Sequence, residues 1–246
     1  LALSVSLLAG CGSTAASPVS SAASTAAEST TSSVVSETTS AAADENEAAA
    51  AQLLNDLTGS YQELWPVILA DEYKQTWLDD CTALVGEDNA EAAFEKLSSM
   101  VTGDVYGEDA VKAYANGGGA YFCGFTNSLA TLTFDGETST ISGTDKDGNV
   151  LFSHTYHYIG MEPVRGLYEF ESDDADSGEF TYFFLAPDTS AETYHIEFRY
   201  GSDAEALSQY DAGEYAYWLA SGISTDCDQT MIDNCIELFC TENLAG

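Results

Sequence analysis

The chain has 246 residues, of which 41 are Asp or Glu and only 6 are Lys or Arg, giving a formal net charge of −35. The six cations, Lys74, Lys96, Lys112, Lys146, Arg165 and Arg199, are scattered along the sequence. They cannot be assembled into a basic patch, which excludes nucleic acid as a partner. The same imbalance attracts cations, but a strongly charged surface is first of all a solubility device, so acidity alone names no metal.

The N-terminal stretch from Leu1 to Ala9 is largely apolar and ends in Leu7-Leu8-Ala9-Gly10-Cys11. Small residues directly before a cysteine, behind a short apolar run, are the layout of an export signal cleaved at a lipid-modified cysteine. Crossing a bilayer needs ~20 apolar residues, more than this run supplies. The expectation is a lipoprotein in which residues 1–10 are the remainder of a clipped signal peptide. Cys11 would carry the lipid, palmitate among its acyl chains, and hold the protein at the extracytoplasmic face of the cell membrane. One acyl chain binds a membrane only marginally, so stable anchoring implies two or more on Cys11. Residues 11–45 then read as a tether. They are dominated by Ser, Thr, Ala and Val, with no aromatic residue and no Lys or Arg, so they cannot bury enough surface to offset chain entropy.

A single globular domain is expected over residues 46–246, where all 3 Trp, 14 Tyr and 11 Phe fall. Residues 46–57 read as an Ala-rich helix, followed by helical patterns at Tyr61–Leu69, Glu72–Leu84, Glu91–Met100 and Glu108–Ala115. The run Asn116-Gly-Gly-Gly119 stops the pattern and lacks the Lys-Ser/Thr of a phosphate loop, which makes it a connector. From Tyr121 the period falls from about 3.6 to 2. Ala130–Phe134 and Thr138–Ile141 around Asp135-Gly136 predict a hairpin. The turn Asp145–Asn149 imitates a calcium loop, but its Gly comes one place early and no Glu follows at the required spacing. Strands are predicted at Val150–Tyr158, Leu167–Glu171, Phe180–Leu185 and Tyr194–Tyr200. Helices are predicted at Ala204–Leu219 and Asp226–Asn243, the second announced by Thr225 and Asp228. Six or seven sequential antiparallel strands close most economically into an up-and-down barrel or a strongly rolled sheet.

Three segments carry a family likeness: Val164-Arg165-Gly-Leu-Tyr-Glu169, Phe180-Thr-Tyr-Phe-Phe-Leu-Ala-Pro187 and His195-Ile-Glu-Phe-Arg-Tyr-Gly201. Together with Trp65-Pro66 in an early helix and Tyr217-Trp218 before the terminal one, they resemble the ZinT (YodA) family of exported zinc-binding proteins. The resemblance implies an α+β fold, mainly antiparallel β, built as a lipocalin-like (calycin) barrel with flanking N- and C-terminal helices. It also implies a zinc site of three histidines at one mouth of the barrel, on positions that fall on Phe183, His195 and Glu197. One histidine is kept, one position is a carboxylate and one is apolar. The histidine-rich segment of the family has no counterpart.

The residues themselves allow a reduced site. Zinc takes three or four His, Cys or carboxylate ligands, and His195 and Glu197, two apart on a strand, share a face. His154 and His157 are three apart and therefore on opposite faces. His154 shares its face with Tyr156 and Tyr158 and is the candidate third ligand. Against this, Arg199 lies on the face of His195 and Glu197, where a guanidinium would pair with Glu197 and repel a cation. A structural His-Glu-Arg network is thus the competing reading. No nucleophile elbow, His-Glu-x-x-His motif or paired nucleophile and base occurs, and a non-enzyme is expected. Beyond Cys11 there are five cysteines and no C-x-x-C. An odd number leaves at least one thiol, and a bond from Cys81 to a C-terminal cysteine stays open.

Three functions follow: capture of zinc or another divalent metal at the membrane for homeostasis and delivery to a metal importer; a barrel binding a small organic ligand, with Arg199 or Arg165 meeting its carboxylate; or a surface interaction module without a small-molecule site.

Overall fold

The computed structural model describes residues 45–186 and 195–245. The signal and tether expectations at residues 1–44, Cys11 among them, fall outside the described residues, as does the Ala-Pro turn from Pro187 on.

Helix α1 (45–56) leads into strand β1 (Gly59–Glu63) and the short α2 (Leu64–Ile68). After a 3₁₀ turn at Asp71–Tyr73 come α3 (Lys74–Val85), α4 (Glu87–Val101) and α5 (Glu108–Ala115). Gly86, with φ at +83°, is the single residue between α3 and α4, and a side chain there would strain the reversal. The sheet continues with β2 (Thr131–Asp135), β3 (Thr140–Thr144), β4 (Val150–Met161), β5 (Tyr168–Ser172), β6 (Tyr182–Leu185) and β7 (His195–Gly201). Helix α6 (Ala204–Leu207), β8 (Ala220–Ser224) and α7 (Gln229–Leu244) end the described chain.

All eight strands pair antiparallel in chain order, and β8 returns to β1, closing the barrel. The fold is the expected lipocalin-like up-and-down barrel with flanking helices. It has two strands that the periodicity does not reveal. β1 lies partly where Tyr61–Leu69 predicts helix, because Tyr61 is at helical spacing from Leu64 and Trp65 yet pairs with Leu132 and Ser224. β8, Ala-Ser-Gly-Ile-Ser, is almost wholly buried and therefore shows no alternation to read. The helix predicted over Ala204–Leu219 shrinks to α6, followed by a folded-back excursion to Leu219. Helix α7 is capped by Asp228, whose carboxylate accepts from Met231 N at 3.0 Å, while Thr225 Oγ1 donates to the Ser60 carbonyl.

The barrel interior is filled with aromatic side chains. Phe183 is fully buried and stacks on Phe152, Phe198 and Tyr200 at centroid distances of 5.8, 6.4 and 5.4 Å, and Tyr200 meets Trp218 edge-on at 5.0 Å. Both ends are stoppered. At the Gly59 end of β1, α1 contributes Ala50, Leu53 and Leu54 to the core, with Leu57 just beyond it. Gly136 of the β2–β3 turn comes so close that a Cβ there would stand 2.4 Å from Asn55 Cα. At the other end Phe125 enters the core, with its N–H on Glu63 Oε1 at 2.6 Å, and Trp218 Nε1 donates to the Gly124 carbonyl. A second core lies outside the wall. There α2, α3, α4 and α7 pack Trp65, Trp77, Leu97, Ile232 and Ile236 against Ile223 of β8.

The excursion after α6 is held by Arg199, which is completely buried. Its guanidinium donates to the carbonyls of Leu207, Gln209 and Tyr215. The ring of Tyr210 lies between it and Arg165, with guanidinium carbons 4.3 and 4.4 Å from the ring centroid. Burial lowers the Arg199 pKa from its ordinary value. Because one planar fork serves three carbonyls, an ammonium cannot replace it. Arg199→Lys should therefore cost about 2 kcal/mol and Arg199→Met more, by leaving buried carbonyls unmet. Urea unfolding followed by tryptophan fluorescence reads both.

The α3–α7 contact carries like charge. The Asp80 carboxyl pKa is raised by burial and then by Glu237, Asp233 and Asp79. A carboxyl whose folded pKa exceeds its unfolded one binds the proton more readily when folded, so stability rises as pH falls through the window between the two. Asp80→Asn should raise the melting temperature at neutral pH and flatten that rise; calorimetry between pH 7 and 4 checks both.

Candidate functional site

Strand β7 sets its residues alternately into and outside the barrel. Ile196, Phe198 and Tyr200 are in the barrel core. His195, Glu197 and Arg199 therefore face outward, and cross-strand pairing puts Ile223 and Ser221 of β8 beside His195 and Glu197. The expectation that these three share a face holds in the structure, but the face is the outer wall and not the barrel mouth.

That wall is roofed by helices. A cleft of about 500 Å³, partly open to solvent, lies between it and helices α2 and α7. Leu64, Trp65 and Ile68 of α2 and Leu238 and Phe239 of α7 form its apolar side; His195, Glu197, Glu242, Asn243 and Cys235 supply the polar groups. The Trp65 and Phe239 rings meet edge to face at 4.7 Å. A second recess continues past Glu197 and Trp65 toward Met100, Tyr121, Cys123 and Ser221. Glu197 belongs to both. The Cys123 thiol is pushed up to about 12, mainly by burial and then by the Glu197 charge, so it stays protonated. Trp65 Nε1 is buried beside the Cys123 thiol.

His195 and Glu197 are half-buried. Glu242 is exposed on the rim, on the last turn of α7. Its position was not singled out by sequence reasoning. The signal available was only its helical spacing from Cys235 and Leu238, which does not say what lies opposite.

His154 is elsewhere. It shares the inner face of β4 with Phe152 and Tyr156, as its spacing predicts, and pairs across to the buried Ile141. Its Nδ1 lies 2.7 Å from Asp174 Oδ2. His157, on the opposite face, has the matching contact of 2.7 Å to Asp173 Oδ1. The acidic run after β5 thus takes one carboxylate to each histidine. The structure brings His195 and Glu197 together and leaves His154 across the barrel wall from them.

Phe183 also lies on the other side of the wall. On β6 the residues alongside the outer face of β7 are Phe184, paired with Arg199, and Ala186, whose N–H donates to the Glu197 carbonyl. Arg199 is engaged with the main chain of the excursion, as described above. Among the described residues no three His, Cys, Asp or Glu side chains are grouped closely enough to hold a metal ion. The Asp145 turn is not such a place either: its carboxylate accepts from the N–H groups of Asp147 and Asn149 and from the Asn149 amide, which lowers its pKa.

No protein-family model matches the chain, and no curated protein matches it in sequence. Among solved structures it is similar to whole zinc-bound AdcA from Streptococcus pneumoniae, at 14% identity and a TM-score of 0.45, over 76% of this chain and 35% of that one. The chain thus spans about a third of the length of AdcA. It is similar, too, to the zinc-bound ZinT-like domain of AdcA from the same organism, at 16% identity and a TM-score of 0.47, over 75% of this chain and 89% of that one. That domain is of the ZinT-like kind which the segments from Val164 to Gly201 resemble.

Proposed function

We propose that the protein is a lipid-anchored, extracytoplasmic binder of divalent metal, with zinc as its first cargo, and that it takes the ion up in the cleft outside the barrel wall. The observation that carries this reading is the His195–Glu197 pair, held two residues apart on the outward face of β7 and opening into a cleft that Glu242 borders. An imidazole nitrogen and carboxylate oxygens are ligands zinc accepts. A chain with a net charge of −35 draws cations toward any such opening. Since two donors are assembled and the third must be drawn in, capture is expected to be looser than at a closed structural zinc site. Such binding suits an ion that is taken up and passed on, here to a metal importer.

The barrel interior is the place where a lipocalin-like protein would hold an organic molecule. Here aromatic rings occupy it, and Arg199 is buried against main-chain carbonyls. An organic ligand would have to use the outer cleft, where the Trp65 and Phe239 rings beside Glu197 favour a small organic cation. This second reading shares the location and differs in the chemistry of the guest.

Two measurements test the proposal. Titration calorimetry of the full chain with zinc should give one site, and His195→Ala with Glu197→Ala should weaken it by ~10-fold or more, while His154→Ala leaves it unchanged. Affinity weaker than millimolar, or indifference to the double variant, rules out the metal reading; retention of an organic cation in native mass spectrometry would then favour the second. For the anchor, cells expressing the full-length precursor should incorporate an alkyne-labelled fatty acid into the wild type and not into Cys11→Ser. Equal labelling of both would place the lipid elsewhere.

A further inference from the structure

Helices α3 and α7 are joined at their buried faces by two cysteines that are 159 residues apart in the chain. Cys81 and Cys240 are both completely inaccessible, and their sulfurs are 3.9 Å apart, in van der Waals contact. Trp77, Leu97 and Ile236 belong to the same buried apolar cluster as the two thiols. The same two helices are pushed apart by charge, since Asp80 of α3 feels the carboxylates of Glu237 and Asp233 of α7. We propose that Cys81 and Cys240 form a disulfide that ties the outer helical layer together in the exported protein. The bond needs the two sulfurs to approach to about 2 Å, which side-chain rotation and a small helix shift supply.

The chemistry balances as thiol–disulfide exchange. Each thiol gives up its proton, and the pair gives up two electrons to the sulfur–sulfur bond of an external disulfide. That oxidant is a small-molecule disulfide or a disulfide-bearing oxidoreductase, and it leaves as two thiols. In the finished fold neither sulfur is reachable, and burial pushes both thiol pKa values up, so thiolate is scarce. The exchange therefore belongs to folding, before α7 docks on α3. Once made, the bond is as shielded from reductants as the thiols are. In the cell the proposal rests on the export reading above, because a reducing cytoplasm keeps such thiols reduced; in a redox buffer it does not.

The test uses the full chain, reduced, unfolded and then refolded in a mixture of reduced and oxidised glutathione. Maleimide blocking in denaturant should leave two fewer adducts than in the fully reduced protein. Digestion with a Glu-specific protease, without reduction, should yield one linked pair of peptides containing Cys81 and Cys240. The oxidised protein should melt ~5 °C or more above the reduced one. Two unlinked thiols at these positions after refolding, or linkage of either to Cys123, Cys227 or Cys235 instead, would overturn the proposal, as would equal melting of the two forms. Zinc titration of the same preparations separates the two ideas: a linked protein that ignores zinc defeats the metal reading alone, and a zinc-binding protein without the link defeats this one alone.

Discussion

β1 and β8 pair through Tyr61, Gln62 and Glu63 against Ser224, Ile223 and Gly222, and on this contact the rest of the molecule depends. Without it the remaining strands form an open sheet with two exposed edges, each a row of unmet main-chain groups. With it every strand acquires an inside and an outside. The inside takes Phe183, Phe198, Tyr200 and Trp218; the outside of β7 and β8 becomes the floor on which α2 and α7 rest. Because side chains alternate along a strand, closure also decides the fate of His195 and Glu197. The same pairing that sends Ile196 into the core sends its two neighbours out.

The protein consequently has two apolar layers with the barrel wall between them. The inner layer is a stack of rings stoppered by α1 at one end and Phe125 at the other, and it serves the fold. The outer layer has a helical roof and a cleft bordered by an exposed turn of α7.

Charge is distributed with the same division. A chain so acidic has little to neutralise itself with, yet two of its six basic residues, Arg199 and Arg165, lie on either side of the Tyr210 ring. Arg199 holds the excursion between α6 and β8 by its carbonyls and so brings β8 round to meet β1. A cation there serves architecture. Elsewhere the excess carboxylates repel one another, most visibly between α3 and α7, where the two cysteine sulfurs touch.

The periodicity of this chain determined that helices precede a meander of antiparallel strands, that the meander rolls up, and that His195 shares a face with Glu197 and His154 with Tyr156. Each of these depends on residues near one another in sequence, where spacing and side-chain direction are linked by the backbone alone. Which face is inside, by contrast, was decided only by closure. β8 is buried on both sides and has no alternation, and Tyr61 keeps helical company while lying in a strand. The partners of the site were equally out of reach. That Glu242 borders the cleft, that Asp174 meets His154 and that Arg199 reaches distant carbonyls are all consequences of long-range docking. Local pattern specifies the direction of a side chain relative to its own strand or helix; only the assembled layers specify what it faces.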